Sequence, residues 1–476
     1  MNAPTSSAPS RVGVRGALAT AGLVLATFGA VLPQAMSAPT LALTAESYGT
    51  TVAESSWALT ATLIVAVAST PVLGRLGDAF GARRMLLMLV PVVTIGLVMA
   101  ALAPDLGWLI AGRAVQGLAG GAFPLAIACV PHVVPERRRA AAVGLVTATF
   151  ATGTGFGVVI AGLLVDHVGV RALSWVPLGF LVAAELLIAA ALPHIPTHPD
   201  VHLDVRSALR LSLGLAALLV ALTEAPLWPL PALAVAGCLA LGAGLIAAWL
   251  VREHRSPDPL VDPRTLRRRG VWATHLTALL LGATLLGSFV LLPAFAEAPA
   301  ETGRGLGRTV TDAALLLLPA SLAMLAVGPL SGVLRRRIGT RGPVVLGAVT
   351  AAAGGLVIFA ATRDFPALLV GTVLLGAGIA VASAGMVNVL VDQVPDDEVG
   401  VTTGVNVVAR QVGGALGAAG VAAALAVGGA APDAAEYGGA FLLLALLAGA
   451  GVLAALLIPA RPGRVEALAP GRRPTE

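Results

Sequence analysis

Long apolar runs alternate with short polar breaks along almost the whole chain. The runs fall at 17–37, 56–73, 85–103, 107–130, 140–165, 173–192, 209–225, 229–251, 271–293, 311–334, 343–361, 365–391, 400–427 and 438–458. A helix rising ~1.5 Å per residue needs about 20 residues to cross a hydrocarbon core ~30 Å thick. The pattern therefore predicts fourteen membrane helices. The seventh run is the weakest, because Arg210 stands near its start and Pro226 follows it. An arginine so placed snorkels its head to the interface. Two longer polar breaks, 193–204 and 252–269, divide the map. It reads as a tail 1–16, a six-helix half 17–192, linkers with an extra two-helix hairpin 193–270, a second six-helix half 271–459 and a tail 460–476. The run that opens at Ala17 follows Arg11 and Arg15, as in a signal peptide. It is too long for such a peptide's apolar region, and we expect it to stay as the first helix.

Composition agrees with an all-α polytopic membrane protein. Of 476 residues, 57% are hydrophobic and 12% charged, where soluble domains carry about 25% charged residues. All 30 basic residues are arginine, and their placement matters more than the net charge of +5. With the N-terminus inside, twenty-four arginines fall on the cytoplasmic side. Only Arg171, Arg304, Arg308 and Arg363 fall outside, and Arg113 and Arg410 fall within runs. The positive-inside rule thus places both termini in the cytoplasm. It does not separate fourteen helices from twelve, since removing a hairpin preserves parity. Cys129 and Cys238 both sit in apolar runs and offer no disulfide. His194, His198 and His202 recur every fourth residue, but Pro196 and Pro199 break any helix that would gather them on a metal-binding face.

The chain repeats itself. Pro135-Glu136-Arg137 leads into a run with Gly144, and Pro395-Asp396-Asp397 leads into one with Gly404, each glycine nine residues after its proline. Arg113-x-x-Gln116-Gly117 is echoed by Thr372-x-x-Leu375-Gly376, and Gly74-x-Leu76 with Arg83 by Gly328-x-Leu330 with Arg337. Such halves build transporters whose site lies at the repeat interface. The second copy has lost its charges: Gly332 stands where Asp78 would, and Thr372 where Arg113 would. The chemistry is thereby expected in the first half and at Arg410.

The stretch Gly74-Arg75-Leu76-Gly77-Asp78-Ala79-Phe80-Gly81-Ala82-Arg83-Arg84 joins the second and third runs and reads as a tight turn. Gly74 and Gly77 allow a neighbouring helix to approach, Gly81 frees the reversal, and Arg83 and Arg84 mark the cytoplasmic side. Solubility and topology account for the arginines but not for the glycine–aspartate spacing. The stretch resembles the G-x-L-x-D-x-x-G-R-[RK] loop of the major facilitator superfamily, with Ala82 inserted. The resemblance implies that Asp78 sits by the start of helix 11, the run that opens at Gly400, and latches the two halves together in one state. A carboxylate there also suits the helix dipole.

Two further motifs carry the same resemblance. Leu109-x-x-x-Arg113-x-x-Gln116-Gly117 is similar to the superfamily's helix-4 motif, whose arginine is associated with proton coupling in antiporters. A mid-membrane arginine costs at least ~2.5–3.5 kcal/mol and must face protein or a wet cavity; a structural arginine on backbone carbonyls is the plain alternative. Asn406-x-x-x-Arg410-Gln411-x-Gly413-Gly414-x-x-Gly417 resembles helix 11 of the fourteen-helix drug:proton antiporters. Asn406 and Arg410 share a helix face, and Gly413 and Gly417 have the spacing of close helix contact. A packing hydrogen bond is the alternative there. Two motifs depart from the family. Val158 replaces the proline of the helix-5 motif within Gly153–Gly162, and the first run has Gln34 but no acid where the family carries an aspartate. Proton coupling would then need another carboxylate, with Asp312, Glu185, Glu297 and Asp78 as candidates.

The resemblance implies a transporter, not an enzyme, that exports hydrophobic or amphipathic small molecules across the cell membrane. It implies proton antiport by alternating access, with the protein acting as a monomer and without a cofactor or nucleic acid. Gln34, Gln116, Asn406 and Arg410 would give the polar lining of the substrate site, and Phe28, Phe123 and Phe156 the aromatic one. A carrier for a specific metabolite, peptide or lipid without proton antiport is the alternative, favoured by the missing acid. The chain has no lysine, so it has no G-x-x-x-x-G-K-[ST] loop for ATP. It also lacks the buried lysines on which fourteen-helix proton-pump subunits depend. No linker holds a nucleophile–base constellation.

Overall fold

A computed structural model describes residues 10–37, 40–195, 205–223, 232–256, 259, 261–299, 305–360, 364–395, 398–425 and 434–460. Its long helices are α1 (Ser10–Ser37), α2 (Val52–Phe80), α3 (Ala82–Ala101), α4 (Leu106–Val133), α5 (Glu136–Ala172), α6 (Trp175–Ala191) and α7 (Val205–Thr223). They continue with α8 (Ala232–Glu253), α9 (Arg269–Glu297), α10 (Leu318–Ile338), α11 (Gly342–Ala360), α12 (Phe365–Gln393), α13 (Val399–Leu425) and α14 (Ala434–Leu456). Among the described residues, thirteen of these are long and apolar enough to cross a membrane. The exception is α7, whose apolar part is Arg210–Ala221, the run already weakest in the sequence.

The core is divided. One buried cluster joins α1, α3, α4, α5 and α6 through Leu23, Leu86, Phe123, Val146 and Ile188. A second joins α9 to α14 through Leu291, Met324, Ile379, Val421 and Phe441. A third holds the extra hairpin: Leu211, Leu215 and Leu219 of α7 and Trp249 of α8 pack against Val67 of α2 and Val401 and Val408 of α13. Ser212 Oγ donates to the Ala68 carbonyl at 2.8 Å. The hairpin therefore lies over the seam between α2 and α13. Bilayer lipid is as apolar as leucine, so close packing of small residues must replace hydrophobic exclusion between these helices. Gly413 and Gly417 of α13 do this, facing the backbone of Leu279 and Ala283 on α9.

The joint between α2 and α3 corrects the sequence reading. Gly74, Gly77 and Asp78 are not in a turn, because α2 continues helical to Phe80. The reversal is confined to Gly81, at φ 89°, which favours glycine. No proline interrupts the stretch, and the two earlier glycines are tolerated because they face other helices. Thr51 and Glu54 form a capping box at the far end of α2.

Candidate functional site

Helix α13 begins at Val399 and leaves its first N–H groups without intrahelical partners, as every helix does. The Asp78 side chain, 6% exposed, supplies two of them. Gly400 N–H donates to Oδ1 and Val401 N–H to Oδ2, each at 3.1 Å. The carboxylate of one half thus caps a helix of the other, at the positive end of its dipole. The approach needs glycine twice: a Cβ on Gly74 would lie 2.6 Å from the Gly400 carbonyl oxygen, and one on Gly400 would lie 2.5 Å from Asp78 Oδ1.

Other groups gather at this end. Arg83 donates to the Ala189 carbonyl at 3.2 Å, tying α3 to α6, while Arg84 is exposed. Arg335 pairs with Asp392 at 2.7 Å, and Arg336 donates to the Arg137 carbonyl across the halves. A cavity of about 760 Å³ opens among Asp78, Arg137, Arg139, Arg335 and Asp392.

Deeper in, Arg410 of α13 reaches into the first half. It is 9% exposed. Its guanidinium carbon lies 5.9 Å from the ring centre of Phe123 on α4 and 5.0 Å from that of Phe150 on α5, and the two rings are 4.8 Å apart. A desolvated cation over an aromatic face gains about 2 kcal/mol. One of its terminal nitrogens, Nη2, is buried without a hydrogen-bond partner. Asn406, one turn earlier and 2% exposed, brings Nδ2 to 3.4 Å from Nδ1 of His275 on α9. His275 Nε2 is also buried without a partner.

Arg113 makes a separate joint inside the first half. It is 7% exposed and donates from Nη1 to the Pro33 carbonyl of α1 at 3.0 Å and to Gln116 Oε1 at 3.1 Å. Gln116 Nε2 donates on to the Gly96 carbonyl of α3 at 2.9 Å. Beside Arg113 is a crevice of about 10 Å³, lined by Ser37, Thr40, Tyr48, Ser55 and Arg171. That is room for about one water.

The expected substrate lining is therefore distributed. Phe123, Asn406 and Arg410 come together at the seam between the halves. Gln116 stays with Arg113, and Gln34 is half-buried on α1. Phe28 and Phe156 stack edge to face, with centres 6.4 Å apart, and Phe28 meets Phe180 at 5.1 Å in a cluster of α1, α5 and α6. Glu185 is half-buried on α6, with Oε2 lacking a partner. Asp312 is half-buried in the first turn of a short helix, Val310–Leu316, and Glu297 is exposed at the end of α9. His198 and His202 lie outside the described residues. Sequence reasoning missed His275 and Phe150. His275 carried a signal: of seven histidines it alone falls inside an apolar run. Phe150 carried none.

The family model of the Major Facilitator Superfamily matches residues 23–250 and 205–418. The chain belongs to this superfamily. Among curated relatives, the tetracenomycin C resistance and export protein of Streptomyces glaucescens is 29% identical over 393 residues, 80% of this chain and 71% of that one. Multidrug resistance protein Stp of Mycobacterium tuberculosis is 30% identical over 359 residues, 74% of this chain and 65% of its own. A triacylglyceride transporter of Mycobacteroides abscessus is 29% identical over 386 residues, covering 76% and 72%. The human organic anion transporter MFSD10 (TETRAN) superposes with a TM-score of 0.60 at 18% identity, over 93% of this chain and 100% of that one. It shares the major facilitator fold.

Proposed function

We propose that this major facilitator protein is a secondary active exporter of hydrophobic or amphipathic small molecules, a carrier without enzymatic activity, driven by proton influx. It works as a monomer in the cell membrane, with both termini and the Asp78 end in the cytoplasm. The contact of Asp78 with the start of α13 carries the reading. It is a bond between the halves that must break whenever that end opens, as rocking of the halves around a central site requires. In this conformer the bond is made, so the cytoplasmic end is held shut at the α2–α13 seam. Phe123, Asn406 and Arg410 bind the substrate at the seam. Arg113, with Gln116 and Pro33, holds the first half's joint and couples it to the proton, and Glu185 and Asp312 are the acids available to carry it.

A second reading is a carrier of a specific metabolite, peptide or lipid without proton antiport. Gln34 in place of a first-helix acid favours it, as does the relative named for triacylglyceride transport. Proteoliposomes with an imposed pH gradient decide between them. Antiport requires that naphthalene probes bearing neutral, anionic or cationic groups move against their concentration only with the gradient, and that their movement in turn carries protons. Transport unaffected by collapsing the gradient overturns antiport and leaves the second reading.

A further inference from the structure

The sign of the charge at the central seam narrows the substrate. We propose that the Arg410 site takes an organic anion: a carboxylate or sulfonate on a flat apolar body. This rests on the reading of that seam as the transport site. Phe123 and Phe150 lie within about 6 Å of the guanidinium. Rings can satisfy the face of the cation, but they accept none of its in-plane N–H bonds, of which a guanidinium has five. Nη2 is buried and unused. His275 Nε2 is buried and unused in the same neighbourhood, joined through Asn406 on the Arg410 face. Gly282, two turns on from His275 along α9, backs directly onto Arg410. Two helices thus present ring faces to the Arg410 guanidinium, and α9 carries His275 onto the same face of α13 through Asn406.

No described carboxylate pairs with Arg410. Asp78 caps α13 and Asp392 pairs with Arg335. Glu185 is on α6, which packs on α1 through Leu181 and Ile188. The other deep cation, Arg113, has the neutral partners Pro33 and Gln116. The interior seam therefore holds guanidinium charge with no described acid against it. A buried charge is tolerated only when paired or wet. Arg113 is held by neutral acceptors, whereas no acceptor meets Arg410 Nη2, and a guanidinium left open in this way can receive an anion. A planar fork matches a carboxylate or sulfonate through two parallel bonds. A cationic ligand would meet like charge in a medium of low dielectric.

The test uses purified full-length protein in lipid nanodiscs and three probes that share one ring: 2-naphthoate, 2-naphthalenemethanol and 2-naphthylmethylammonium. Equilibrium dialysis should give naphthoate at least tenfold tighter than the ammonium. In Arg410→Gln, with folding checked by size exclusion, the ratio of naphthoate to alcohol affinity should fall about tenfold. Arg410→Lys should recover part of that ratio, since charge returns without the fork. An ammonium bound as tightly as naphthoate, an Arg410→Gln ratio equal to that of the parent, or no binding of any probe overturns the proposal. The antiport reading fails separately. If naphthoate preference persists but no probe is driven by a pH gradient, proton antiport falls and the anion site stands. If the gradient drives the ammonium and not the naphthoate, export stands and the anion site falls.

Discussion

Replacing Asp78 with asparagine should shift the conformational balance by an amount that the geometry sets. In this structure two backbone N–H groups, from Gly400 and Val401, each lie 3.1 Å from a different oxygen of a buried carboxylate. A hydrogen bond to a charged group contributes about 1.5–3 kcal/mol. Asparagine keeps one oxygen but turns an NH₂ group toward the second N–H, and it removes the charge that the α13 dipole favours. The net loss is about 2–3 kcal/mol, a factor of about 30–150. At the lower end, a mixture of about 95:5 in favour of the closed cytoplasmic end becomes about 40:60. Spin labels on the exposed positions Arg138 of α5 and Arg337 of α10 would report this as growth of a long-distance population from a minor to a major share. Asp78→Ala should act in the same direction. An unchanged distance distribution in folded Asp78→Asn protein would refute the latch.

Three other outcomes follow from the same geometry. Gly74→Ala places a Cβ 2.6 Å from the Gly400 carbonyl oxygen and should open the same end without touching a charge, seen with the same labels. A cysteine at position 226, between α7 and α8 in the sequence, should react with an impermeant maleimide from outside the cell. Protection there, in folded protein, removes the external turn from the topology. Arg113→Ala removes the bonds from Nη1 to Pro33 and Gln116 and should disable gradient-driven export more than substrate binding. Arg113→Lys should rescue only part, for want of the planar fork. Normal export per folded Arg113→Ala molecule would leave Arg113 a structural role alone.

The helices were legible because a membrane helix must be apolar for its whole crossing, a constraint written locally in the chain. The contact of Asp78 with α13 was legible for a related reason: Asp78 is a charge at a membrane boundary, flanked by glycines that suit close packing. The length of α2 was not, because Gly74 and Gly77 serve a helix contact and a turn equally well, and only the position of α13 decides between them. The Arg410 environment was half legible. Asn406 and Arg410 share a face by helical spacing alone, but Phe123, Phe150 and His275 come from three other helices, more than a hundred residues away. No local pattern records that meeting. Phe28 and Phe156 show the converse: aromatic residues near an expected cavity were drawn instead into the packing of α1 against α5 and α6.

The internal repeat explains why charge sits where it does. The seam at the Asp78 end is closed by two helix pairs that the repeat relates, α2 with α13 and α10 with α5. Gly74 meets Gly400 in the first pair, and Gly328 and Gly332 meet Gly144, Ala140 and Ala141 in the second. The glycines are common to both, as the close approach demands. The carboxylate is not. In the second pair Gly332 stands in the place of Asp78 and takes up its room with backbone contact. Thr372, in the place of Arg113, turns its hydroxyl back onto the Leu369 carbonyl at 2.8 Å. Packing contacts are lost within about an ångström of separation, and the α2–α13 pair adds to them two charge-assisted hydrogen bonds to backbone donors. Each pair thus carries a charge-assisted bond across the halves, Asp78 to the start of α13 on the α2 side and Arg336 to the Arg137 carbonyl on the α5 side, but only the first lies at a helix N-terminus. The hairpin α7–α8 covers the α2 side.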